Sequence, residues 1–374
     1  MNEPIKLFFC TDGIFPHAVG GMQRHSLLLI SELAAYPDID ITVIHPHGGV
    51  QIFDDKLGIK ELCIATDFNS GNYLKQCYGY SKEVYRLVSE HPNAIIYSQG
   101  LSIWYKSSKL SDRLIVNPHG LEPYQALSLE DKFKGTPFRL IFNTIFRNAT
   151  KVVSLGGHLS KILEKRIGKE KVIVLPNAVN KITEIKRTFD NDTIKFLFVG
   201  RFAFNKGIDV LIDAVKRLNE EPTRLKMEFY LVGKGPLYGK YTKSHNLPNL
   251  HYVGFADDEQ LNQLYEDCDV FILPTLFEGM PTVVLEAMTR SMAIIVTDVG
   301  ATKEMVDDSN GFIIEKNNVE SLINAIKTYC KLNSDQKNKL ADASFKRVNE
   351  NFTWDKVAKQ HYDLFRSMHD SIIE

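Results

Sequence analysis

Short runs of consecutive apolar residues alternate with helix-length amphipathic segments along almost the whole 374-residue chain. The clearest runs in the first half are Ile5–Cys10, Ile41–His45, Ala94–Ser98, Arg113–Asn117, Lys151–Ser154 and Lys171–Leu175. The second half has Ile194–Gly200, Lys226–Val232, Leu250–Gly254, Val270–Pro274, Ala293–Thr297 and Gly311–Ile314. They are apolar at successive positions, not alternate ones, as strands buried on both faces of a parallel sheet must be. A helical period over Met22–Ala35, Gly207–Asn219, Asp257–Asp267, Pro281–Arg290 and Val319–Leu332 predicts the covering helices. Repeated strand–helix units predict an α/β fold of the doubly wound type.

A charged stretch without apolar period, Lys181–Thr193, separates two sets of about six such units. Two Rossmann-like domains facing a cleft are therefore expected, over residues 1–180 and 193–350. Two helical segments follow Leu332 with no strand between them, around Gln336–Asn349 and Trp354–Met368. The last carries Trp354, Val357, Ala358, Tyr362, Leu364 and Phe365, and so needs a surface to bury against.

Hydrophobic residues make up 44% and charged residues 24%, which excludes disordered and collagen-like classes. Lys and Arg number 45 against 46 Asp and Glu, a balance that argues against a dedicated nucleic-acid binder. Five scattered cysteines form no C-x-x-C pair, which points to reduced thiols in a cytosolic setting. No window approaches the roughly 18 apolar residues of a membrane span, and Met1-Asn2-Glu3-Pro4 does not open a secretion signal. A cytoplasmic enzyme is expected.

Ligands of open α/β sheets bind beyond the carboxyl ends of the strands, so the segments after each strand carry the functional information. Phe277-Glu278-Gly279-Met280-Pro281-Thr282-Val283-Val284-Leu285-Glu286 follows one of them. Pro281 suits a first helical position, leaving the amides of Thr282, Val283 and Val284 beside the positive end of the helix dipole as an anion site. Glu278 and Glu286 suit hydroxyls, so the segment fits phosphate flanked by polyols; a helix that merely carries two glutamates is the plainer reading. Gly200-Arg201, with Lys206 five residues on, brings two cations to the end of another strand, where they would neutralise a diphosphate.

Gly20-Gly21 precedes the helix bearing Arg24 and His25, and close backbone approach or positive φ is one reading, a plain turn another. His119, in Asn117-Pro118-His119-Gly120, stands out only by its place after a strand. Gly233-Lys234-Gly235-Pro236 lacks the third glycine of a dinucleotide fingerprint and reads as a tight turn. Asp38-Ile39-Asp40 and Asp267-Cys268-Asp269 precede strands, the wrong end for a metal site. The basic amphipathic segment from Phe138 to Arg147 reads as a core-facing helix in preference to a membrane contact.

Together these residues resemble the retaining glycosyltransferase family 4 enzymes of the GT-B fold. The matching motifs, in order, are Gly20-Gly21, G-R-x4-K-G from Gly200 to Gly207, the G-x-G-P turn, and E-x7-E with Glu278 and Glu286. The resemblance implies a nucleotide-sugar donor, UDP- or GDP-linked, with no cofactor and no metal required. Arg201 and Lys206 would bind the diphosphate, Glu286 the ribose and Glu278 the sugar hydroxyls. Amides near Gly279, Met280, Pro281, Thr282 and Val283 would cap the phosphate, while Gly200, Gly233 and Phe255 would sit around the nucleotide.

His119 would reach the sugar from the opposite domain, and Gly20-Gly21 would line the donor–acceptor junction. Residues 351–374 would form a terminal helix crossing back to the first domain. A saccharide, lipid-linked or small acceptor is implied, with peripheral membrane association at the inner face by analogy. Gln23 stands where many relatives carry a glutamate, which bears on the acceptor contacts. Rival readings are a nucleotide-sugar epimerase, a sugar phosphorylase, and a non-catalytic nucleotide-sugar-binding protein.

Overall fold

The computed structural model describes residues 3–69, 71–125, 129–189, 192–221, 226–244 and 246–373. The chain divides into two compact units, one of Met1–Asn177 with Trp354–Glu374, the other of Ala178–Thr353.

In the first unit, β1 (Ile5–Cys10), β2 (Ile39–His45), β3 (Lys60–Cys63), β4 (Ile95–Gln99), β5 (Leu114–Asn117), β6 (Lys151–Ser154) and β7 (Val172–Val174) form a parallel sheet. Its order is β3-β2-β1-β4-β5-β6-β7, so the chain reverses direction across the sheet between β1 and β4. Helices α1 (Gly21–Leu33), α2 (Tyr73–Ser89), α3 (Leu129–Lys134), α4 (Thr136–Asn148) and α5 (Gly157–Ile167) belong to the same unit. The residues of β4 and β5 are all buried, as expected of central strands covered on both faces.

The seventh strand, β3, was not legible in the sequence. It is a four-residue edge strand, Lys-Glu-Leu-Cys, with no fully buried residue, and so lacks the apolar run that marks the others.

The second unit has β8 (Thr193–Val199), β9 (Lys226–Val232), β10 (Leu250–Gly254), β11 (Val270–Leu273), β12 (Ala293–Thr297) and β13 (Gly311–Ile314), all parallel, in the order β10-β9-β8-β11-β12-β13. Here the reversal falls between β8 and β11. Its helices are α6 (Ile208–Glu220), α7 (Tyr238–Ser244), α8 (Asp258–Asp267), α9 (Thr282–Thr289), α10 (Thr302–Met305), α11 (Val319–Cys330) and α12 (Ser334–Asn351). Side-chain caps fix several starts: Asp257 accepts from the Gln260 amide at α8, and Asn333 with Gln336 makes a capping box at α12.

The stretch expected to be a linker is part of the second unit. The Arg187 guanidinium donates to the carbonyls of Arg290 (2.8 Å), Tyr265 (2.6 Å) and Cys268 (2.5 Å), which fastens the segment to the ends of α8 and α9. The boundary therefore lies at Asn177/Ala178, before the charged stretch, and the chain leaves the unit at Thr353. Val179 pairs with Thr353 as an isolated parallel bridge, and its amide donates to the Phe352 carbonyl at 2.9 Å, so the two exits lie side by side.

The terminal helix, α13 (Trp354–Ile373), packs on α1, β1 and β4 of the first unit. Val357 and Phe365 are fully buried there, each worth roughly 1.5–3 kcal/mol. The Tyr362 ring stacks on Tyr36 at 4.2 Å, and its hydroxyl donates to Asp38 at 2.6 Å, with Arg366 on the same carboxylate.

Candidate functional site

In the second unit the site residues follow β8, β9, β10 and β11, at the carboxyl edge where the strand order reverses. After β8 the Gly200 amide donates to the Val232 carbonyl (3.0 Å), Phe202 to Lys234 (3.1 Å), and Leu237 back to Phe202 (3.0 Å). These bonds join the turn that carries Arg201 to the G-x-G-P turn after β9. Gly233 has φ 126°, and a Cβ there would lie 2.0 Å from the Gly200 carbonyl oxygen. Only glycine fits. Arg201 is exposed at this edge, and Phe255, just beyond β10, is 75% exposed.

Lys206 closes a short 3₁₀ turn, Phe204–Lys206, and Gly207 follows in the left-handed region at φ 65°. A Cβ on Gly207 would lie 1.9 Å from the Pro274 carbonyl oxygen, so the turn lies hard against the end of β11. The Leu276 amide and the Thr275 hydroxyl both donate to the Asn205 carbonyl, at 2.7 and 2.8 Å. This clamp brings the Lys206 ammonium onto the Glu278 carboxylate as an ion pair, with side chains only 22% and 14% exposed. The Thr275 hydroxyl is also 3.3 Å from the same Glu278 oxygen.

Pro281 caps α9 instead of opening it: its ψ of 114° is extended and the helix begins at Thr282. The Val284 amide donates to the Pro281 carbonyl at 3.1 Å, so it is not one of the free donors expected. Thr282 and Val283, in the first turn, have no preceding helical carbonyl to donate to. Met280 is buried, 4% exposed, which leaves its backbone to face any ligand. The Gly279 carbonyl accepts from the Ala301 amide at 2.9 Å and holds the loop. Glu286 lies in the second turn and accepts a hydrogen bond from the Tyr265 hydroxyl at 3.0 Å. Tyr265 is buried, and burial together with the Glu286 charge pushes its phenol well above the ordinary value, so it stays a donor.

In the first unit neither glycine of the pair needs glycine's freedom. Gly20 is extended (φ 164°) as the cap of α1, and a Cβ there would meet only the flexible Gln23 side chain. Gly21 faces open space.

His119 is unusual in a way that spacing does not reveal. It sits in the left-handed region at φ 56°, a strained place for a side chain of its size. Its amide donates to Asn117 Oδ1 (2.9 Å), and Asn117 Nδ2 donates to the Tyr97 hydroxyl (2.9 Å). Tyr97 lies 3.1 Å from His361 Nε2, and His361 Nδ1 lies 2.8 Å from the Val357 carbonyl. A carbonyl only accepts, so the His361 proton is on Nδ1 and Tyr97 donates to Nε2. Every donor in the chain thereby has one direction, from α13 through β4 and β5 to the backbone of His119.

Burial and the neighbouring His361 push His119 down to about 3, and burial pushes His361 down to about 4. His25, edge-on to His119 at 4.7 Å, lies well below the ordinary value for the same reason. All three rings are neutral at pH 7. Sequence reading passed over His25 as a partner, Tyr97, Asn117, His361 and Tyr265, because their elements are far apart in the chain.

The two Asp-x-Asp segments hold structural carboxylates: Asp38 anchors α13, and Asp269 accepts from the Lys195 amide at 2.8 Å. The segment from Phe138 to Arg147 lies in α4 and buries Ile141, Phe142, Ile145 and Phe146, as a core-facing helix does. Among the described residues no helix is long and apolar enough to cross a membrane.

Residues 193–331 match the family model described as Glycosyl transferases group 1, and residues 19–181 the model described as Glycosyltransferase Family 4. An uncharacterized glycosyltransferase of Methanocaldococcus jannaschii is 28% identical over 313 residues, covering 81% of this chain and 83% of that protein. Sucrose-phosphate synthase from Thermosynechococcus elongatus superposes with a TM-score of 0.78 at 19% identity, over 99% of this chain and 100% of that one. Anabaena HepE, solved in complex with UDP-glucose, gives 0.69 at 16% identity, over 97% and 100%. These likenesses establish the GT-B fold.

Proposed function

The chain belongs to the family 4 glycosyltransferases, and from that premise we propose that it moves a sugar from a nucleoside-diphosphate donor to a saccharide, lipid-linked or small acceptor, with retention at the anomeric carbon and without a metal ion. One observation carries the reading. The Lys206–Glu278 pair, the Arg201 turn and the first turn of α9 follow β8 and β11, the two strands that flank the reversal of the sheet.

In this scheme the diphosphate is bound by Arg201, Lys206 and the amides of Thr282 and Val283. As the anomeric C–O bond breaks, its electron pair goes to the diphosphate, whose growing charge these groups stabilise more strongly than the ground state. The acceptor oxygen bonds to the same face of the anomeric carbon, and its proton passes to the departing phosphate oxygen. Lys206 moves from Glu278 to the phosphate, which turns Glu278 to the hydroxyls of the sugar. Glu286, braced by Tyr265, takes the ribose hydroxyls. His119 contacts the transferred sugar with a neutral ring. A uridine donor is favoured by the HepE complex with UDP-glucose.

Nucleoside-diphosphate release from UDP- and GDP-hexoses tests the reading directly. Slow release by the wild-type chain, lost in Arg201→Ala, is expected; equal release by both would sink it. We also assign a peripheral membrane contact to α3 and the start of α4, where Leu129 and Phe133 are each 83% exposed and Leu140 64%. Co-sedimentation with anionic vesicles should fall in Phe133→Ser, and unchanged sedimentation would contradict that contact.

A further inference from the structure

The first unit holds a second constellation that the scheme above does not use. A cavity of about 600 Å³ opens at the carboxyl edge of β1, β2 and β3, lined among others by Asp12, Gln23, His47, Asn69 and Tyr73. That volume suits one or two small rings. Asp12 lies two residues past β1, and a Cβ on Gly100, just past β4, would come within 3.3 Å of Asp12 Oδ2. The carboxylate is therefore at the point where the strand order of this sheet reverses. Its backbone is held firmly: the preceding Thr11 carbonyl accepts from the Tyr80 hydroxyl at 2.6 Å, and the Thr11 amide donates to Ile44 at 3.0 Å.

Asp12 Oδ1 is shut off from water and has no hydrogen-bond partner among the described residues. Burial pushes its carboxyl up to about 6, so it is ionised at pH 7.5. An ionised, desolvated oxygen with no donor is costly, and in native proteins such a group is generally satisfied by something. Among the described residues lining the cavity there is no lysine or arginine, while Asp67 adds a second carboxylate. His47 is held below its ordinary value by burial and by His45 and His17, and its Nε2 accepts from the Ile14 amide at 3.0 Å. The neutral ring therefore carries its proton on Nδ1, which makes it a donor. Tyr73 leaves its ring 40% exposed.

A phosphorylated or carboxylated ligand would meet two carboxylates and no cation. A hydroxyl-rich neutral ring would instead supply donors to Asp12, acceptors to His47 and a face to Tyr73. We propose that this cavity binds an uncharged saccharide ring of the acceptor, with Asp12 accepting hydrogen bonds from its hydroxyls. The inference rests on the transferase reading for the word acceptor, but the binding it describes does not.

Saturation-transfer NMR on the full chain would test it with four probes: methyl α-D-glucopyranoside, methyl α-D-galactopyranoside, methyl α-D-mannopyranoside and N-acetylglucosamine. Each would be compared with its 6-phosphate. At least one neutral probe should bind, its 6-phosphate about tenfold or more weakly, and Asp12→Asn and the half-exposed Tyr73→Ala should each cut the neutral binding about tenfold. Binding of none of the four, preference for a 6-phosphate, or unchanged binding in both variants would overturn the proposal. Titration with UDP reports the donor side separately. Glycoside binding without UDP binding would leave this cavity standing and count against the transfer scheme; UDP binding with 6-phosphate preference would do the reverse.

Discussion

The Lys206 ammonium and the Glu278 carboxylate are paired across the ends of β8 and β11, and both are mostly withdrawn from water. Neither position explains the other in sequence, since 72 residues separate them. The pair is made possible by Gly207, whose left-handed backbone allows the Phe204–Lys206 turn to press against Pro274. A charge pair in such a place has two uses: it keeps Lys206 from being an uncompensated buried cation, and it holds Glu278 ready.

Lys206→Ala should lower turnover by about a hundredfold or more, the loss seen when a donor to a developing anion is removed. Glu278→Gln should lower turnover less and retain diphosphate binding, because Lys206 then lacks its resident anion. Steady-state kinetics on both variants checks this. Equal losses in the two would mean that the pair acts only as a structural bridge.

Glu286→Ala should mainly weaken nucleotide binding, with a rise in KM larger than the fall in kcat. Tyr265→Phe removes the hydroxyl that orients Glu286 and should cost about 1 kcal/mol of the same binding. Calorimetric titration with the nucleoside diphosphate reads both. Wild-type affinity in Glu286→Ala would contradict the ribose assignment.

Gly207→Ala should destabilise the second unit by at least about 2 kcal/mol, since a Cβ 1.9 Å from a backbone carbonyl oxygen adds to the left-handed strain. Thermal unfolding measures it, and an unchanged midpoint would show that the turn can move away from β11 freely.

His25, His119 and His361 should stay neutral well below pH 6, which ring nitrogen shifts in NMR would show directly. Their folded pKa values lie below the unfolded value of about 6.5, so below pH 6.5 the unfolded chain takes up protons that the folded one refuses. Stability should therefore be complete above pH 6.5 and fall on acidification, toward about 4 for His361 and about 3 for His119. Each ring contributes up to about 1.4 kcal/mol per pH unit. Titration of all three near pH 6.5 would refute the burial argument.

Much of this architecture was legible because parallel strands covered on both faces leave continuous apolar runs. Five of the expected strands, among them Ile5–Cys10 and Lys226–Val232, have the expected bounds. The edge strand Lys60–Cys63 was not legible, since it buries little and so carries no such signature. The Lys181–Thr193 stretch misled because one arginine, not an apolar face, fastens it.

In the site, residues at strand ends could be nominated from position alone. What they touch could not be read off: Lys206 with Glu278, Glu286 with Tyr265, and the path from His361 to His119 all join elements distant in sequence. Asp12 was passed over for a different reason. A single aspartate after a strand looks ordinary until its lack of a partner is visible.

The central claim is that Arg201 and Lys206 hold a diphosphate without help from a metal. Calorimetric titration of the wild-type chain, Arg201→Ala and Lys206→Ala with UDP and GDP, in the presence of a chelator, tests it most directly. The account predicts that one of the two nucleotides binds the wild type in chelator and that each substitution weakens it about tenfold or more. Binding that needs a divalent ion, or that survives both substitutions unchanged, would contradict it.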